Sequence, residues 1–169
     1  MKFAPWLPRP WVFVVALGAL LGGCGGDTFL MKEVPYAMPK PPGQNETLIY
    51  VLREDSGYGG ARKLAIIDND TVVAVLTPGT FSYFAVPSGE HEIVGYISPS
   101  PMMHYRVTPA PGKTIYLFCR MGYASGMFME AMDEAQAKTL VSQFKYTEIG
   151  VKGGKANMDY KAYYDKLYQ

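Results

Sequence analysis

The chain has 169 residues, 16 basic and 15 acidic side chains, a formal net charge of +1, and is 49% hydrophobic and 14% aromatic. So even a charge balance excludes the basic footprint that holds a protein to nucleic acid. Two cysteines are too few to found a disulfide scaffold once one of them is committed elsewhere.

Residues 1–23, MKFAPWLPRPWVFVVALGALLGG, set Lys2 and Arg9 ahead of an apolar run from Trp11 to Leu21 that ends in small residues. This is the layout of an export signal. The run is well short of the roughly 20 residues a helix needs to cross a bilayer core, so export is expected rather than a permanent span. Leu21-Gly22-Gly23-Cys24 resembles the lipobox of bacterial lipoproteins, in which the Cys takes a diacylglycerol thioether and becomes the mature N-terminus. The alternative is an ordinary secretory signal followed by a chance cysteine. Read as a lipobox, it makes Cys24 a lipidation site. Palmitate-type acyl chains, at about 0.8 kcal/mol per buried methylene, then hold the protein on a membrane with no protein span. Gly25 stands where Asp resembles an inner-membrane retention signal, which favours the outer membrane and a domain facing the periplasm.

Processing at Cys24 removes two basic and no acidic residues, leaving a net charge near −1, and takes away both tryptophans, Trp6 and Trp11. With Cys24 acylated, Cys119 has no intramolecular partner. The remaining length suits one domain with a modest core. Residues 24–46 are rich in Gly and Pro, with Pro35, Pro39, Pro41 and Pro42 opposing helix and central strand, and read as a tether.

From Thr47 the chain changes to short β-branched and aromatic runs separated by Gly, Pro, Asn and Asp. Strands are expected at 47–53, 62–68, 71–76, 81–86, 91–97, 104–107 and 114–120. Seven short strands point to a mainly β protein, a small antiparallel β-sandwich. Asp68-Asn69-Asp70 is a hairpin signal, since Asn and Asp tolerate positive φ. Pro78-Gly79, Pro87-Ser88-Gly89 and Pro111-Gly112 supply further turns, and Ser98 to Met103, SPSPMM, reads as an exposed crossing loop. The period then changes: Met132, Ala135, Leu140, Val141 and Phe144 share one helical face, and Asp133 with Gln136 resembles a capping box. A C-terminal helix is expected from about Glu134 to Lys145, closing a domain that spans 47–147. In the remaining 148–169, Tyr160, Tyr163, Tyr164 and Leu167 fall at i, i+3, i+4 and i+7, with Asn157 as a possible N-cap. This is a short amphipathic helix or a tail whose tyrosine face packs on the domain or meets an envelope protein or a glycan.

The order of PPGQNETLIYVLRE, AIIDNDTVVAVL, GTFSYFAVPSGEHEI, GKTIYLFCR and MDEAQAKTL resembles an uncharacterised family of bacterial lipoproteins known as domain of unknown function 2846, over about Pro41 to Tyr146. The resemblance implies a transthyretin-like or similar small sandwich and no particular activity; the tyrosine-rich C-terminus lies outside it.

Three groups of residues invite a chemical reading. Glu90-His91-Glu92 is one, but strand alternation puts the glutamates on one face and His91, with Ile93 and Ile97, on the other, so the three do not converge on one ion. Gly122-Tyr123-Ala124-Ser125-Gly126 has its serine one place too late for a nucleophile elbow. Met102, Met103 and His104, with Cys119, Met121, Met127, Met129 and Met132, offer thioether, thiolate and imidazole ligands of the kind Cu(I) takes. Against this metal alternative, methionines also serve as flexible fillers between sheet and helix. The expected function is therefore a lipid-anchored, non-catalytic binding or structural module without a cofactor. A copper-binding lipoprotein using Met102, Met103, His104, Met127 and Met129 is the first alternative, and a glycan-handling enzyme the second.

Overall fold

The computed structural model describes residues 31–57, 62–69, 71–97, 103–122 and 126–149. In chain order they form β1 (Met31–Glu33), β2 (Glu46–Arg53), β3 (Leu64–Asp68), β4 (Thr71–Leu76), β5 (Thr80–Pro87), β6 (His91–Tyr96), β7 (Met103–Val107), β8 (Thr114–Gly122), β9 (Gly126–Ala131), a helix α1 (Glu134–Gln143) and β10 (Lys145–Ile149). Six strands make one sheet in the order β1-β10-β5-β2-β8-β9, and four make a second in the order β4-β3-β6-β7. The protein is mainly β, as expected, and the described residues form two sheets and one helix, α1, near the C-terminal side.

Alternation along the strands decides what lies between the sheets. Ile49 and Val51 of β2, Leu117 and Cys119 of β8, Leu64 and Ile66 of β3 and Ile93 of β6 turn inward to a shared core. The intervening residues Leu48, Tyr50 and Leu52 of β2, with Tyr116 and Phe118 of β8, turn outward and are buried a second time. Gly95 lies where a Cβ would stand 2.6 Å from Cε of Met103, so its bare backbone lets that methionine lie across β6. The sheets also meet along both margins, β4 beside β5 and β10, and β7 beside β9. At the first margin the Thr147 hydroxyl lies 3.1 Å from the Val75 carbonyl and 3.3 Å from that of Phe81, bridging the two sheets.

Local signals worked where the chain reverses directly. Asn69 takes φ 41° in the β3–β4 hairpin, and Gly79 takes φ 67° before β5. The sheets differ from the antiparallel expectation in two pairings, β2 with β8 and β10 with β5, which are parallel. Parallel neighbours are joined by long crossovers, which leave no turn signal at the strand ends. The seven expected strands all form, and three more join them: β1, β9 and β10. Met103 belongs to β7 and is buried, so the crossing loop ends before it.

Residues 31–36 do not run as a free tether. Met31, Lys32 and Glu33 pair antiparallel with Ile149, Glu148 and Thr147, and the Val34 amide donates to the Tyr146 carbonyl at 3.1 Å. The rest of the expected tether ahead of this point, residues 24–30, lies outside the described residues.

The helix stops at Gln143 because Phe144 is already extended, at φ −86° and ψ 156°. The side it turns to the sheet is Ala137, Leu140, Val141 and Phe144, of which the small Ala137 is fully buried and the other three half-buried; Ala135 is exposed. At its start Asp133 accepts from the amides of Ala135 and Gln136 at 2.8 and 3.3 Å. Asp133→Ala should cost about 0.5–2 kcal/mol. Urea titration checks this, with the midpoint lowered and the slope unchanged.

Candidate functional site

The outward residues of the six-stranded sheet form a layer of aromatic rings. Tyr50 stacks on Tyr116 at 5.1 Å between centroids, Tyr83 stacks on Tyr146 at 5.2 Å, and Phe81 lies between them, 5.5 Å from Tyr146. Helix α1 covers the side near Tyr116. The side near Tyr83 is covered by Tyr36, edge-on to Phe81 at 5.1 Å, with its hydroxyl 2.9 Å from that of Tyr50. Tyr36 is 37% exposed and Met38, two residues on, 84%. An apolar groove of about 190 Å³ continues past Tyr116, lined also by Tyr105, Val107, Ile115, Met132 and Glu134. Phe81, Tyr50, Tyr116 and Tyr146 are buried under this cover, so the part open to a partner is the rim, where Tyr36, Met38 and the half-buried Tyr83 offer ring edge, thioether and hydroxyl together.

The hydroxyls of this layer resist ionisation. Burial, then the Tyr36 hydroxyl, holds Tyr50 well above the ordinary phenol range, and burial and then Tyr83 do the same for Tyr146; burial and then Glu134 raise Tyr116.

His91 is buried, and its ring spans two elements. Nδ1 lies 2.8 Å from the Asp68 carboxylate on β3, and Nε2 donates to the Pro87 carbonyl at 3.0 Å. Glu92 faces the other way, its carboxylate 3.3 Å from His104 Nδ1 and 3.5 Å from Arg106 Nε, and Glu90 is exposed. His91 thus fastens the turn before β6 to β3, and the cluster does not converge on an ion.

The methionine and histidine constellation divides in the same way. Met103, Cys119, Met121 and Met129 are buried in the core between the sheets, with Met127 packed against them. His104, next to Met103, points out to Glu92. Met102 and Cys24 lie outside the described residues, as do Tyr123 to Ser125. Among the described residues no three His, Cys, Asp or Glu side chains are grouped to hold a metal ion.

Beside the sulfurs lies a residue that the sequence reading passed over. Arg53, the last residue of β2, is fully buried; Nη1 donates to the carbonyls of Arg62 at 2.6 Å and Leu76 at 3.0 Å, and Nη2 reaches Met121 Sδ at 3.2 Å. Burial draws its guanidinium down to about 10, offset in part by Cys119. Burial likewise pushes the Cys119 thiol up to about 12, offset in part by Arg53. A thiol so held is a packing group and not a nucleophile at neutral pH. Its only sequence signal was an arginine closing an apolar run.

A polar recess of about 340 Å³ brings Glu33 and Asp55 to one cavity with Thr80 and Lys145. Lys145 holds Glu33 at 2.9 Å in an exposed ion pair.

No family model matches the chain, and no curated protein or solved structure matches it.

Two outcomes follow from these contacts. His91→Phe strands the Asp68 carboxylate and the Pro87 carbonyl and should lower stability by about 1–3 kcal/mol in urea titration. The raised phenols and the raised Cys119 thiol contribute stability that is fully present below their unfolded ionisation, near 9.0 for the thiol and 10.0 for the phenols, and lost as pH rises further. Arg53, lowered on folding, opposes this loss above about 10. Tyrosinate absorbance should show part of the phenol signal appearing only with alkaline unfolding, a part that shrinks in Tyr50→Phe and Tyr146→Phe.

Proposed function

We propose that this chain is a lipid-anchored module of the bacterial cell envelope that binds and does not catalyse. It sits on the outer membrane facing the periplasm, held through acyl chains on Cys24, and meets an envelope protein or glycan with its aromatic face. The observation that carries the reading is the course of residues 31–38. The chain that continues from the anchor pairs with β10 as β1, crosses the aromatic layer, and presents Tyr36 and Met38 at its open side. The seven residues 24–30 are all that separates that docked segment from the acylation site, so the face works close to the lipid. The resemblance to an uncharacterised lipoprotein family agrees with the anchor and adds no activity.

Neither alternative is favoured by an observation of the same weight. The copper reading finds buried sulfurs, but His104 is on the far side of β7, and a Cu(I) ion among them would stand beside the guanidinium of Arg53. The glycan-handling reading finds Glu33 and Asp55 at one recess, but the Glu33 carboxylate is exposed and ion-paired to Lys145.

Cys24→Ser should move the protein from the membrane to the soluble fraction; unchanged retention in membranes would remove the anchor. A photocrosslinking residue placed at Met38 should capture an envelope component in intact cells, where one at the exposed Glu90 turn does not. Equal capture at both positions would deny the aromatic face its role.

A further inference from the structure

The aromatic layer is closed by a segment whose own residues are all in reach of water. Beneath Tyr36, Phe81 is fully buried and Tyr50 and Tyr146 are 6% and 8% exposed, whereas no residue from Met31 to Glu46 is buried. The segment is held by three pairs with β10, by the Val34 amide on the Tyr146 carbonyl, and by the Tyr36 hydroxyl 2.9 Å from that of Tyr50. At its start Met31 packs with Ile149 against an apolar strip of the four-stranded sheet that includes Ile67 and Val94. The Lys32–Glu148 and Glu33–Lys145 ion pairs, at 3.6 and 2.9 Å, are exposed and add little in water. The surface below is fastened without the segment. Lys145 and Tyr146 pair with Thr80 and Phe81 of β5, the Lys145 amide donates to the Gly79 carbonyl at 3.1 Å, and the Thr147 hydroxyl reaches Val75 and Phe81. A weakly buried segment lying on an independently fastened surface belongs to the part of a protein that opens first.

We propose that residues 31–36 are a strap seated in a strand-acceptor site, and that the partner of this site is an extended peptide that displaces the strap. The strap defines the partner's chemistry. The peptide adds a strand antiparallel to β10, with a basic side chain opposite Glu148 and an acidic one in reach of Lys145. It then places an apolar residue where Val34 meets the aromatic layer, and two residues further a ring where Tyr36 stands edge-on to Phe81 at 5.1 Å and to Tyr146 at 5.6 Å. The Tyr146 carbonyl takes a main-chain amide and the Tyr50 hydroxyl a phenol. This inference rests on the aromatic face being the binding face, and it narrows the partner there to a peptide, since a glycan has no strand to lay along β10. With the strap in place the edge of β10 is paired, which guards it against unwanted strands.

The test uses the chain from residue 24 on with Cys24→Ser, Lys32→Cys and Glu148→Cys, and as probe the free peptide MKEVPYAM, residues 31–38, with a dye at its C-terminus. Positions 32 and 148 are directly opposed in the ladder, a spacing of about 5.5 Å that a disulfide closes. Oxidation locks the strap on β10 and reduction frees it. A tethered strap competes with the probe at an effective concentration on the order of a millimolar, so the probe gains when the strap is able to leave. By fluorescence anisotropy the reduced chain should bind the probe at least about tenfold more tightly than the oxidised chain. Adding Tyr36→Ala to the chain should tighten binding further, and alanine in place of the probe's tyrosine should weaken it. Equal affinity in the two redox states overturns the proposal, as does a probe that binds neither the reduced chain nor the Tyr36→Ala chain. In cells, capture at Met38 that persists with the strap locked overturns displacement and leaves the aromatic rim its role. Redox-dependent probe binding without capture in cells supports the acceptor site and removes the envelope partner instead.

Discussion

Burial of the central strands on both faces is the constraint from which the rest of this structure follows. In β2 all residues from Thr47 to Arg53 are buried, and in β3 all from Leu64 to Ile67. A strand in a two-layer sandwich needs only its inward residues covered, and half of each strand meets water. Here Tyr50 and Leu52 need a cover on one side of the molecule, and Ala65 and Ile67 need one on the other. Helix α1 and the Val34–Tyr36 segment meet the first requirement, and they do so with few buried helix residues because the sheet brings large aromatic rings to the contact.

That constraint was legible in the sequence as the difference between alternating and continuous apolar runs. TLIYVL and LAII carry no polar residue at every second place, the pattern of strands covered on both faces. The hairpin at Asn69, the turn at Gly79 and the Asp133 cap were legible too, because each is a bargain struck among neighbours in sequence. The parallel pairing of β2 with β8 was not, since it depends on two strands more than sixty residues apart finding a common register. Strand β9 was obscured by composition: GMFMEA reads as a methionine motif until its pairing with β8 puts Met129 opposite Cys119 and inside the core. The tether was misjudged for a related reason. Its prolines oppose central strand but permit an edge, and β1 is a short edge strand of three residues that ends before Pro35.

The groups that looked chemical serve mostly to hold surfaces together. His91 links a turn to β3, and Glu92 gathers His104 and Arg106 at the margin of the four-stranded sheet. Arg53 takes the carbonyls of Arg62 and Leu76, which flank the strands of the opposite sheet, and so ties the two layers at the end where β2 leaves the core. A guanidinium is costly to bury, and its fork of donors is what recovers that cost when carbonyls are fixed within reach. The same positive charge makes the neighbouring sulfurs a poor place for a second cation. The buried aromatic rings belong to the stability of the sheet; what the layer leaves at the described surface is its rim at Tyr36, with Met38 beyond.

The ladder between β1 and β10 joins these lines. It is antiparallel, and Met31, the first residue of β1, stands opposite Ile149, the last of β10. The chain therefore enters β1 and leaves β10 at one point on the sheet edge. Met31 and Ile149 both lie on the apolar strip of the four-stranded sheet, while three residues along, Val34 packs on the aromatic layer of the other sheet. A pull on the chain ahead of Met31 acts first on this short ladder, held by the Lys32–Glu148 and Lys145–Glu33 pairs, both exposed and so individually weak. Anything that binds across Tyr36 stiffens the same segment from the other face. The aromatic layer and the apolar strip are thus joined through the three paired residues of β1, Met31 to Glu33.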